Sequence, residues 1–175
     1  RVDLNQYTAL IMTSKTAVDH YFRIAEECRF EVPTTMKFFC ISEAVAFYLQ
    51  KYVTYRKRKI FHGKQTIEDL VDTMKKHKKE KYLLPCSDIL RDSIPETLDN
   101  FGVDYSKVVL YKTVASDLSD LEDVYYDMLV FFSPSGIESL LKNFPDFKQN
   151  KTLIAAFGPT TAKAVIENNL RLDVQ

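Results

Sequence analysis

The sequence predicts an α/β protein with two lobes, each built on a parallel sheet, the second of them incomplete in this chain. Three observations predict this fold class. Short apolar runs alternate with helical stripes, the pattern of a parallel sheet covered by helices. The runs are apolar at every position, as expected for strands buried on both faces. The alternation then starts again after an acidic, turn-rich stretch at residues 115–124. Each lobe is therefore expected to be flavodoxin-like or Rossmann-like.

The first lobe contains enough elements for a complete layered domain. Its strands are predicted at residues 9–12, 37–41, 60–61, 82–84 and 108–111, and its helices at residues 17–28, 44–52, 67–74 and 94–101. In the last of these helices Pro95 is tolerated only in the first turn. Gly102 is placed to cap the C-terminus of the same helix.

The second lobe has fewer elements and repeats the start of the first. Its strands are predicted at residues 128–132 and 153–157, and its helices at 137–144 and 162–169. Residues 9–18 align with 128–137 at an offset of 119, and residues 41–46 align with 157–162 at an offset of 116. This repeat favours two similar lobes, although any two strand–helix units share part of such a pattern.

Composition excludes several classes of function. Lys and Arg together number 24, as do Asp and Glu, so the formal net charge is zero and no nucleic-acid partner is expected. No apolar run approaches the ~20 residues of a membrane span, so no membrane partner is expected either. The glycines are too few and too scattered for a glycine-rich nucleotide loop; they are Gly63, Gly102, Gly136 and Gly158.

The cysteines and histidines do not predict a metal site. The three cysteines have no C-x-x-C spacing and lie among apolar residues, so buried free thiols in a reducing cytoplasm are expected for Cys28, Cys40 and Cys86. No ligand spacing connects His20, His62 and His77 with one another or with a cysteine.

Two turns that follow predicted strands are the best candidates for a binding site. Ser135 and Glu138 have the spacing of a capping box, and Thr16 with Asp19 is a weaker equivalent in the first lobe. In the other turn Gly158 permits a tight approach and Pro159 suits the first helical position. Helix N-termini at the carboxyl ends of parallel strands bind anions. The alternative is that these residues only cap helices.

At these turns the sequence resembles the uroporphyrinogen-III synthase family. The resemblance is strongest for Ser-Pro-Ser-Gly at 133–136 and Gly-Pro-Thr-Thr-Ala at 158–162. It also covers residues 10–18, 81–84, 91–92, 102, 108–114, 129–137 and 156–162, in the order of the family. Two stretches depart from the family pattern: Ser42–Ala46, where Gly-x-x-Thr-Ala is usual, and Pro85–Ser87, where a glycine is common.

The resemblance implies two α/β lobes joined by a two-stranded connector, with the active cleft between the lobes. It implies a continuous lobe at residues 8–111, a connector at 112–126, and the C-terminal part of a split lobe at 127–175.

The family resemblance also implies an activity. The expected enzyme is a cytoplasmic, monomeric lyase of haem biosynthesis that cyclises the polycarboxylate hydroxymethylbilane, with loss of water and inversion of the last pyrrole ring. No cofactor and no metal are expected. Tyr111 matches a tyrosine expected to help the hydroxyl leave. The residues expected to bind substrate are Thr13, Ser14, Lys15, Ser133, Pro134, Ser135, Gly136, Gly158, Pro159, Thr160 and Thr161.

Two other functions remain open from the sequence. One is a non-catalytic protein with two α/β lobes that binds a small anionic ligand in the cleft between them. The other is a receiver-like interaction domain, which is disfavoured because Thr13 and Ser14 stand where an acidic pair is required.

Overall fold

The computed structural model describes residues 2–175 and divides the chain into two compact units. The first unit extends to Thr113 and the second runs from Val114 to Gln175. The strands are β1 (Ala9–Met12), β2 (Lys37–Cys40), β3 (Ile60–His62), β4 (Tyr82–Ser87), β5 (Tyr105–Tyr111), β6 (Met128–Phe131) and β7 (Leu153–Ala156). The helices are α1 (Lys15–Glu27), α2 (Glu43–Tyr48), α3 (Glu68–Lys76), α4 (Ser93–Asn100), α5 (Pro134–Asn143) and α6 (Pro159–Glu167). Short 3₁₀ turns lie at Leu4–Gln6, Leu49–Lys51 and Ser119–Leu121.

The first unit is a parallel sheet of five strands in the order β3-β2-β1-β4-β5. This is the order of the Rossmann-like fold, so the predicted α/β class is confirmed. Strands β2 and β3 are added on one side of β1, and β4 and β5 on the other, so the strand order reverses between β1 and β4. In open sheets of this kind, ligands bind at the carboxyl ends of the strands beside such a reversal. The topology therefore predicts a binding site at the residues that follow β1 and β4.

The core of the first unit lies on both faces of this sheet. Leu10 and Met12 pack on the face that carries α1 and α2, whereas Ala9 and Ile11 pack on the face that carries α3 and α4. All four residues of β1 are fully buried, which is why the strand is apolar throughout.

The second unit is a parallel pair of strands, β6 and β7, covered by α5 and α6. Ile137 and Val165 of the helices and Ile154 of β7 form the centre of its core. On β6, in contrast, Met128 and Val130 are 42% and 44% exposed. One face of this small sheet is thus a packed core and the other is an open apolar surface.

The two units repeat the same strand pairing. Met12 of β1 lies beside Cys40 of β2, and the equivalent residues Phe131 and Ala156 lie beside each other in β6 and β7. The backbone hydrogen bond that follows each pair is also repeated. Ile41 N donates to Met12 O at 2.9 Å, and Phe157 N donates to Phe131 O at 2.9 Å. The aligned segments therefore share register as well as sequence pattern.

Strand β4 is longer than predicted because it continues through Pro85 to Ser87. The register pairs β1 with β4 only at Tyr82 and Leu83, so the later residues pair with β5 alone. Proline is tolerated where one side of a strand has no partner. The fourth helix begins at Ser93, which places Pro95 in its first turn as predicted. Gly102 has φ +64° at its C-terminal end, also as predicted.

The prediction that every cysteine is buried is wrong for Cys28. Cys40 and Cys86 lie inside the first unit, but Cys28 is exposed because it caps the C-terminus of α1, where the helix leaves the core. All three are free thiols. Burial raises the pKa of the Cys40 thiol to about 12, so this thiol stays protonated and unreactive at neutral pH.

Candidate functional site

The segment Thr13–Ser14–Lys15 joins β1 to α1 at the carboxyl edge of the first sheet. Ser14 is the N-cap of α1, and its Oγ accepts a hydrogen bond from Ala17 N at 3.0 Å. The predicted cap at Thr16 is therefore wrong, because the helix starts earlier and places Thr16 in its first turn. Lys15 is exposed, with its ammonium 5.5 Å from the centre of the Tyr48 ring.

Tyr111 ends β5 and reaches the same edge of the sheet. Its hydroxyl lies 3.5 Å from Ser14 Oγ, so the structure brings together two of the predicted site residues that are 97 positions apart in sequence. The distance is long for an O–H···O hydrogen bond, which is normally 2.5–3.0 Å. The hydrogen bond between these two hydroxyls is therefore weak, whichever of them donates.

The backbone after Tyr111 is held by the end of β4. Asp88 N donates to Tyr111 O at 3.1 Å, and Asp88 Oδ1 accepts from Thr113 N at 2.9 Å. Ser87 Oγ donates to Ile89 O at 2.6 Å, which shapes the turn itself. Asp88 was not predicted as a site residue; it serves here to fix the chain that carries Tyr111.

His20 is a second residue of this edge that the sequence analysis did not assign to the site. Its ring stacks on the Tyr111 ring, with 4.4 Å between the centroids and 14° between the planes. It was considered only as a metal ligand, and no sequence signal connects it with Tyr111. The contact arises because α1 packs beside β5.

In the second unit, Ser133 and Pro134 begin α5. Ser133 is the N-cap and Pro134 occupies the first turn, so the predicted capping box of Ser135 with Glu138 is wrong. The rigid ring of proline suits the first helical position, which moves the helix start ahead of Ser135. Ser133 Oγ and Ser135 Oγ lie 2.8 Å apart in a hydrogen bond. At Gly136 an added Cβ would lie 3.2 Å from Phe131 Cδ1, so the turn packs tightly against β6.

Gly158 and Pro159 begin α6 in the predicted manner. Gly158 is the N-cap with φ +79°, a left-handed conformation that favours glycine, and Pro159 follows in the first turn. The two threonines differ in exposure: Thr160 is exposed, whereas Thr161 is only 3% exposed. The hydroxyl that a ligand reaches most easily is therefore that of Thr160.

The helices differ in how their N-termini are capped. In the first unit Ser14 and Ser42 accept from Ala17 N and Val45 N, at 3.0 and 3.4 Å. In α5 and α6, as in α3 and α4, the N-cap residue makes no side-chain hydrogen bond to a backbone N–H of the first turn within the described chain. Uncapped first-turn N–H groups are donors for an anion. The first turns of α5 and α6 therefore differ from those of α1 and α2, and they are also the turns that carry predicted site residues.

Residues 2–175 contain no cluster of three or more metal-ligating side chains. In the same part of the chain, every helix is too short or too polar to cross a membrane.

A family model described as "Uroporphyrinogen-III synthase HemD" matches residues 1–175, the whole chain. The chain belongs to the uroporphyrinogen-III synthase family. The match includes every turn described above, and it confirms the resemblance found in the sequence.

Individual members of the uroporphyrinogen-III synthase family are also similar to this chain. Uroporphyrinogen-III synthase of Saccharomyces cerevisiae is 30% identical over 122 residues, which are 62% of this chain and 44% of the yeast protein. The chain thus spans less than half the length of this curated relative.

Solved structures of the family support the fold. The uroporphyrinogen-III synthetase of Helicobacter pylori superposes with a TM-score of 0.71 at 22% identity, covering 99% of this chain and 79% of that one. A mutant uroporphyrinogen III synthase from Thermus thermophilus gives 0.57 at 12% identity, covering 97% and 72%. At these identities the likeness bears on the fold alone.

Proposed function

We propose that the protein containing this chain is a uroporphyrinogen-III synthase, a lyase that cyclises hydroxymethylbilane with inversion of the last pyrrole ring and loss of water. Family membership over the whole chain is the observation that carries the proposal. The reaction belongs to haem biosynthesis. We place it in the cytoplasm, where the free thiols of the chain stay reduced, and assign it to a monomer.

The turns of the second unit support binding of a polycarboxylate. The first turns of α5 and α6 offer uncapped backbone N–H groups in the described chain, and hydroxyls of Ser133, Ser135 and Thr160 lie in the same turns. A carboxylate at a helix N-terminus is stabilised by these donors and by the helix dipole. Substrate carboxylates are proposed to occupy these two turns.

Tyr111 is proposed to donate the proton that the leaving hydroxyl needs. The C–O bond of the hydroxymethyl group breaks with its electron pair on oxygen, and the Tyr111 proton converts that oxygen into water. The electron-rich pyrrole supplies the electrons that stabilise the resulting cation. For the last ring to be inverted, its substituted α-carbon attacks this cation, and the older bond from that carbon to its methylene bridge then breaks, which leaves a second cation at the bridge. The free α-carbon of the same ring bonds to this second cation, and the proton lost from that carbon returns to the phenolate. The long contact with Ser14 leaves the phenol proton available for this step.

The binding and positioning residues have the remaining task of holding a flexible chain in a reactive conformation. Orienting the two reacting ends can contribute several kcal/mol to the barrier reduction, on the order of 7–11 in favourable cases. No cofactor is assigned in this proposal.

Product analysis tests the proposed activity. Protein containing this chain is incubated with hydroxymethylbilane, the products are oxidised, and the porphyrin isomers are separated by chromatography. The type III isomer is expected. If purified, folded protein yields only the type I isomer that forms spontaneously, the proposed activity is refuted. Binding of the bilane without turnover then supports the non-catalytic alternative.

Gly158→Ala is expected to weaken substrate binding and to destabilise the fold by about 1–3 kcal/mol, because φ +79° with ψ 159° is a conformation essentially restricted to glycine. Gly102→Ala is the matched control: Gly102 also has positive φ, and at both positions an added Cβ has open space. In urea titrations Gly102→Ala should lose about 1 kcal/mol of the free energy of unfolding, no more than Gly158→Ala. Only Gly158→Ala should raise KM. Equal KM values for both variants would remove the α6 turn from the proposed site.

A further inference from the structure

We propose that His20 is a positioning residue for Tyr111, holding the phenol ring so that its hydroxyl stays at the carboxyl edge of the first sheet beside Ser14. The inference rests on the proposed function for its effect on catalysis, but the contact itself can be tested without turnover.

The stacking geometry is the first support. A separation of 4.4 Å and a plane angle of 14° mean that the imidazole covers one face of the phenol almost in parallel. Both residues are half-buried, so the pair lies at the boundary of the core, where neither ring is held on all sides. Aromatic pairs of this kind contribute about 0.5–1.5 kcal/mol beyond the area they bury. The stack therefore restricts rotation of the Tyr111 side chain.

The orientation of His20 is in turn set by its own helix. Arg23 Nε donates to His20 Nδ1 at 3.3 Å, one turn further along α1. Arg23 also donates to Glu27 Oε1, another turn on, at 2.5 Å. Nδ1 is the acceptor in this contact, because the guanidinium can only donate. The imidazole is thereby held at its edge by Arg23 while its face contacts Tyr111.

This support matters because the hydroxyl of Tyr111 has no short hydrogen bond to Ser14 to hold it. At 3.5 Å the Ser14 contact contributes little directional restraint. A proton donor must be within hydrogen-bond reach of the leaving group when the bond breaks, and small misplacements are costly to rate. The stack supplies restraint without using the phenol proton, which is what the proposed reaction requires.

The kinetic test compares two substitutions of His20. His20→Ala removes the ring and is expected to lower kcat about 10-fold with little change in KM, because the proton donor is displaced while the carboxylate turns are untouched. His20→Phe keeps an aromatic face against Tyr111 and is expected to recover most of kcat. His62→Ala, at the exposed end of β3, is the control and should leave kcat unchanged.

A spectroscopic readout separates this inference from the proposed function. In protein labelled with ¹³C-tyrosine, the ring signals of Tyr111 are assigned with Tyr111→Phe. They should shift in His20→Ala, where the ring current of the imidazole is lost, and stay in place in His62→Ala. If wild-type protein shows no turnover but the shift is seen, the contact stands and the proposed function fails. Full kcat in folded His20→Ala, or an unshifted Tyr111 signal, overturns the inference.

Discussion

Tyr111→Phe is expected to lower kcat by about 10²–10⁴-fold, the usual contribution of a general acid, and to leave KM close to the wild-type value. The substitution removes one hydroxyl and keeps the ring that stacks on His20, so the packing of α1 against β5 is retained. The rate of type III formation is measured at saturating bilane, with spontaneous type I formation subtracted.

Tyr105→Phe is the matched control for this substitution. Tyr105 begins the same strand that Tyr111 ends, and it is likewise half-buried. Its loss should leave kcat unchanged, since it lies at the opposite end of β5. If Tyr111→Phe keeps full kcat, the leaving hydroxyl takes its proton from another group, and Tyr111 has no catalytic part in the proposed reaction.

Phe39→Ala should lower the free energy of unfolding by about 3–5 kcal/mol, the range for truncating a buried aromatic side chain. Phe39 is fully buried in β2, with ring centroids 4.9 Å from Phe61 and 5.1 Å from Tyr82. The cavity would open in the face of the sheet that carries α3 and α4, where the neighbouring rings are fixed by their strands. Urea titration followed by circular dichroism measures the change.

Phe47→Ala provides the comparison for the stability measurement. Phe47 is 72% exposed on α2, so its truncation should change the free energy of unfolding by no more than about 0.5 kcal/mol. A loss at Phe39 as small as that at Phe47 would contradict the packing described for the first unit.

Complete burial made strands predictable from sequence only where no proline interrupts the apolar run. Strand β1 was predicted at its true bounds because all its residues are buried and apolar, a pattern that arises from the parallel sheet itself. Strand β4 was predicted at residues 82–84 only, because the apolar run stops at Pro85, although the strand continues to Ser87. Whether a proline is tolerated depends on the neighbouring strand, and pairing of distant strands is not encoded in local pattern.

The helix starts were harder to predict than the helices. Ser14 and Ser133, not Thr16 and Ser135, are the N-caps, because several hydroxyl residues occur in succession and only the backbone conformation selects one. The proximity of Tyr111 to Ser14 and His20 could not be predicted from local sequence pattern either, because it arises from the packing of α1 on β5. The family resemblance supplied Tyr111 and Ser14 but not His20.

The matching register of β1–β2 and β6–β7 is what duplication of one ancestral strand–helix–strand unit would leave behind. Ser42 and Gly158 occupy the same place in the two copies, at the carboxyl end of the second strand. In the first copy, the Ser42 hydroxyl accepts a hydrogen bond from a backbone N–H in the first turn of α2. In the second copy, Gly158 stands at this place, and it has no side chain to accept such a bond from α6. The two copies thus share one hydrogen-bonded frame, and the residue before the helix decides whether a first-turn N–H is bonded within the chain.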